Sequence, residues 1–83
     1  MGASAINTPA ELWESVAAIR DCLREAGEVA AARRLHDAMT ISSLPGEVWP
    51  ETRMTLLALL EDRPDGFDEA VAHACIDYLG TWP

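Results

Sequence analysis

The chain contains no lysine: all six of its basic residues are arginine, set against fourteen aspartates and glutamates. At a net charge of −8 it lacks the clustered cations that phosphate backbones require, which argues against nucleic acid as a partner. The same deficit disfavours anionic membrane surfaces. Cysteine is scarce, and Cys22 and Cys75 are too few for a disulfide framework. No apolar run approaches the roughly 20 residues of a membrane span. Residues 1–7, MGASAIN, have neither a positive start nor a sufficient apolar stretch, so no secretion leader is expected. The Met1-Gly2 opening lacks the Ser or Thr that myristoylation wants at position 6, where Ile6 stands. No segment alternates as a strand does, and no internal repeat is visible. These absences leave a helical protein in a reduced, cytoplasmic setting as the expectation.

Apolar residues make up 49% of the 83, a globular value. We expect a disordered tail over residues 1–7 and one helical domain over 8–83. At this size buried area and chain entropy nearly cancel, so self-association as a homodimer would supply useful extra burial.

The punctuation of four helices is readable. Thr8-Pro9-Ala10-Glu11 is a capping box with proline at the first helical position. Leu12, Val16, Ile19, Leu23 and Ala26 continue it as one stripe, and Gly27 suits the left-handed position that ends it. A second, alanine-rich helix over about 28–40 carries Ala31, Ala32, Leu35, Ala38 and Met39. The third starts either near Leu44 under a Ser43 cap, with Pro50 inside it, or near Pro50 itself. Val48, Trp49, Leu56, Leu59 and Leu60 share its apolar face, widened by Leu57. Arg63-Pro64-Asp65-Gly66 stops it. Asp65 or Gly66 caps the fourth, whose stripe reads Phe67, Val71, Ala74, Cys75, Tyr78 and Trp82. Short connections imply an all-α fold of four short antiparallel helices, as a bundle or two packed helical hairpins.

Side chains capable of chemistry do not assemble into a motif. His73 and Cys75 lie about 200° apart around a helix, which defeats a shared metal ion. The spacing of acids around Gly66 departs from a calcium loop, interrupted by Arg63, Pro64 and Phe67. No nucleophile elbow, glycine-rich loop or oxyanion hole accompanies Cys22 and His36. The expectation is therefore no enzyme, no metal and no cofactor, with both cysteines placed in or beside the core.

Charge is distributed unevenly. Residues 1–42 hold six acids and four arginines, whereas residues 43–83 hold eight acids and two arginines. Glu61, Asp62, Asp65, Asp68 and Glu69 crowd the junction between the last two helices. Some of these acids suit a helix start, but Glu61 and Asp62 at a helix C-terminus oppose its dipole, which points to a use outside the fold. Helped by Glu47 and Glu51, they favour a small acidic protein of bacterial inhibitor or immunity type that neutralises a basic partner surface. A second patch combines Trp13 with Arg20 and Arg24, residue types enriched at binding hot spots. The alternative is a homodimeric structural module that buries Trp13, Leu57 and Ile76, the last beside Ala72 and Leu79, against a second copy.

Overall fold

A computed structural model describes residues 6–81. They form α1 (Pro9–Glu25), α2 (Val29–Met39), α3 (Pro45–Asp62) and α4 (Glu69–Leu79), with no strand among the described residues. The fold is all-α, as the periodicity requires. Any tail over residues 1–5, the Met1-Gly2 pattern and the place of Trp82 lie outside the described residues. Ile6 already packs against the core, and the Asn7 N–H donates to the Glu11 carboxylate at 2.8 Å.

The helices pack as a ring in which α1 touches α2 and α4, and α3 touches the same two. Its extents of 34 × 34 × 20 Å make it two helix diameters deep. Neighbours run antiparallel, because the start of α3 meets the end of α4. Trp49 contacts Tyr78 at a centroid distance of 5.7 Å, and Arg53 Nε donates to the Ile76 carbonyl at 3.2 Å. That guanidinium places a positive charge and a donor at the α4 C-terminus, where free carbonyls collect.

The α1 cap is as expected: the Thr8 hydroxyl accepts from the Glu11 N–H at 3.1 Å. Leu12, Val16, Ile19 and Leu23 are buried from end to end of the helix. At the end of α1, Gly27 has φ +88°, the left-handed conformation that favours glycine. In α2, Ala32, Leu35 and Ala38 are buried, and the small alanines allow close approach.

The third helix begins at the earlier of its two expected starts and runs through Pro50. Leu44 is its N-cap, and Ser43 makes no capping bond; the Ser42 hydroxyl instead accepts from the Leu44 N–H at 3.0 Å. Pro50 deprives the Gly46 carbonyl of its donor, but both residues are exposed, so water can serve that carbonyl. Val48, Trp49, Leu56 and Leu59 are buried as expected, Leu60 is half-buried and Leu57 is exposed.

The fourth helix corrects two expectations. Its N-cap is Asp68, not Asp65 or Gly66, with the carboxylate accepting from the Val71 N–H at 3.1 Å. Its buried stripe is Ala72, Cys75, Ile76 and Leu79, so Ile76 belongs to the chain's own core and offers no surface to a second copy. Phe67, Val71 and Tyr78 are only half-buried along the seam. This helix is apolar over most of its circumference, and periodicity alone does not set its rotation. Its two neighbours, α1 and α3, do.

Two buried groups give testable consequences. Thr52 is 0% exposed and its hydroxyl has no hydrogen-bond partner among the described residues. An unsatisfied buried hydroxyl costs about 1–3 kcal/mol, so Thr52→Val is expected to stabilise the fold by about 1 kcal/mol in urea denaturation. Cys75 is fully buried, and desolvation pushes its thiol from the ordinary 9.0 up to about 11. The unfolded chain loses this proton first. The contribution of Cys75 is therefore complete below pH 9 and is lost as pH rises towards 11. Denaturation curves at pH 8 and 10.5 should show the loss, and Cys75→Ala should reduce it.

Candidate functional site

The acidic junction and the turn between α1 and α2 share one end of the molecule. Gly66, at φ +78°, lies so close to the end of α1 that a Cβ there would stand 2.7 Å from the Ala26 Cβ and 2.9 Å from the Cys22 carbonyl oxygen. Beside it the Asp65 N–H donates to the Glu28 carboxylate at 3.1 Å. Glu28 thus joins the acidic end from 37 residues away in sequence, a participant with no local signal to mark it. Cys22, expected in or beside the core, is exposed here, because it sits on the outer flank of the α1 stripe.

Within the junction the five acids divide by employment. Asp68 caps α4. Asp62 pairs with Arg34 at 3.6 Å and Glu69 with Arg63 at 4.0 Å, both across exposed side chains where such pairs contribute little. Glu61 and the Asp65 carboxylate are exposed and have no ionic or hydrogen-bonding partner among the described residues. Arg63 itself takes the left-handed C-cap of α3, with φ 50°. The last turn of α3 therefore carries Glu61 and Asp62 and no basic residue, the combination its dipole disfavours.

Glu47 and Glu51 are exposed on the first turns of α3, about 21 and 15 Å of helix rise from Glu61. They do not join the junction cluster; they belong with Glu61 to one long outward face. Around α3 in steps of 100°, Glu47, Pro50, Glu51, Met54, Leu57, Ala58 and Glu61 fall within an arc of about 120°. Met54, at its centre, is 65% exposed, and Leu57, at its edge, is 40% exposed. The one cation of α3 before its cap, Arg53, points away to α4.

Trp13, Arg20 and Arg24 lie along one flank of α1. Trp13 is half-buried and meets Trp49 edge-on, with centroids 6.4 Å apart and planes at 79°. It lines an open cavity of about 370 Å³ with Met39, Val48 and Trp49. Arg20 lies about 10 Å further along α1. There its Nε reaches Asp21 at 3.1 Å and its Nη1 lies 3.3 Å from His36 Nδ1. Arg24 reaches the same Asp21 carboxylate at 3.6 Å. Both arginines make local charge pairs, and Trp13 packs against Trp49.

Among the described residues no group of three or more His, Cys, Asp or Glu side chains is placed to hold a metal ion, and no helix is long and apolar enough to cross a membrane. No known protein family, curated protein or solved structure matches the chain.

The division among the junction acids is measurable. Asp68→Ala removes a helix cap and is expected to destabilise the fold by about 1 kcal/mol. Glu61→Ala and Asp65→Ala are expected to stay within about 0.5 kcal/mol of the parent in the same denaturation assay.

Proposed function

We propose that this protein is a small acidic protein-binding module whose carboxylates neutralise a basic surface on another protein, in the manner of an inhibitor or immunity protein. Its role is binding, not catalysis. The observation that supports this reading is the pair of exposed acids on and beside the last turn of α3, Glu61 and Asp65, whose carboxylates have no ion-pair partner among the described residues. Asp62 and Glu69 flank them on weak surface pairs that a partner's arginines or lysines can replace. A cation docked at that turn also relieves its unfavourable dipole. Complementary charge speeds encounter and selects partners, and its effect falls with salt because the groups are exposed.

The test is a tagged pull-down from the native host's lysate, washed at low and then high salt. A basic protein should be retained at low salt and released at high salt. Glu61→Lys combined with Asp65→Lys should abolish its retention without unfolding the bait. Recovery of only the untagged chain itself, in both washes, would overturn the proposal in favour of a self-associating helical module.

A further inference from the structure

Four of the six arginines have ion-pair partners: Arg20 and Arg24 share Asp21, Arg34 meets Asp62, and Arg63 meets Glu69. Arg33 and Arg53 have none among the described residues; Arg33 is exposed, whereas Arg53 is half-buried. In a chain with fourteen acids, no described carboxylate comes within 4.0 Å of the Arg53 guanidinium. The side chain is held from one edge. Its Nε donates to the Ile76 carbonyl at 3.2 Å, and the Gly80 N–H donates to the same oxygen at 3.0 Å. Both lone pairs of that carbonyl are then occupied, leaving none for the Nη amines. Gly80 keeps the approach open, since a Cβ there would stand 3.4 Å from Arg53 Nε. The two Nη amines make no hydrogen bond among the described residues. Arg53 lines an open cleft of about 280 Å³ with Trp49, Pro50, Met54, Leu79 and Gly80, none of which carries a charge.

We propose that this cleft binds a small monocarboxylate with an apolar tail, of the class of short-chain fatty acids. Its carboxylate sits on the Arg53 Nη pair and its tail lies against the apolar walls. A guanidinium presents its donors in a planar fork. With Nε engaged by α4, the edge that remains is the Nη1–Nη2 pair, two parallel N–H groups that match the two oxygens of a carboxylate. A charge partly removed from water attracts an anion more strongly than an exposed one does, which separates Arg53 from Arg33. The uncharged walls favour an anion that carries a tail over a bare one. The volume lies just under the roughly 300 Å³ at which ligand pockets begin, so the occupant is small. Glu51 and Asp77, the acids nearest Arg53 and Ile76 in sequence, lie outside ion-pair range of the guanidinium. Glu61, the nearest acid of the junction along α3, is about 12 Å of helix rise away, beyond the Debye length of about 8 Å at physiological salt. The cleft is thus separate from the acidic end assigned to a basic partner.

The probes are hexanoate, hexanol and acetate, each titrated into the full chain and followed by calorimetry and amide chemical-shift mapping. Hexanoate should bind at least about tenfold more tightly than the alcohol of the same length or the anion without a tail, with shifts at residues 49–54 and 76–80. Arg53→Gln should weaken hexanoate at least about tenfold. Arg53→Lys keeps the charge but loses the paired donors, and should fail to restore the affinity. Because Arg53 also serves the end of α4, the exposed Met54→Glu supplies a second variant that leaves that contact alone. Its carboxylate competes for the guanidinium and should weaken hexanoate about tenfold in a chain whose melting is unchanged. Equal affinity for hexanoate and hexanol would overturn the carboxylate site, and equal affinity for hexanoate and acetate would overturn the apolar one. Shifts confined to other residues, or no binding of hexanoate, would overturn the cleft as a ligand site.

Discussion

The contact between α4 and α1 closes the ring of helices, and the rest of the architecture depends on it. Without it the chain is two helical hairpins joined only where α2 meets α3. Closure requires the turn before α4 to lie directly on the end of α1, and Gly66 allows this by having no Cβ where Ala26 and the Cys22 carbonyl stand. The Asp65–Glu28 hydrogen bond reinforces the same meeting of two turns. With the ring closed, Leu12, Val16, Ile19 and Leu23 are buried along their whole length, which a chain this short needs.

Closure also determines what α3 shows to the outside. A helix in a four-membered ring has two neighbours and so buries one side only. On α3 that side takes Val48, Trp49, Thr52, Leu56 and Leu59. The opposite side is left with Met54, Leu57 and three glutamates, and Arg53, its nearest cation, is turned towards the end of α4. The acidic and partly apolar exterior is therefore a product of the same packing that builds the core.

The two ends of the molecule differ in character for a related reason. Trp13, Trp49 and Tyr78 pack together at the end where α1 and α3 begin and α4 finishes. The turns at the other end are joined by carboxylates and glycine, leaving it acidic and exposed.

Helix number, class and most boundaries were legible in the sequence, because caps and turns act locally: Thr8 with Glu11, Gly27 and Arg63-Pro64 each act within a few residues. The α1 stripe was equally plain, since that helix has one apolar side and hence one rotation. Helix α4 has apolar residues on most sides, and only its neighbours decided that Ala72 and Ile76 face inward while Phe67 and Tyr78 lie along the seam. The concentration of acid over residues 61–69 could be read directly, but its sharing out among cap, ion pair and free carboxylate could not. Nor could the recruitment of Glu28, the approach of Arg20 to His36 or the contact of Trp13 with Trp49. Local hydrogen bonds and turn sterics belong to the sequence by itself; helix rotation and long-range pairing arise only when several faces compete for one small core.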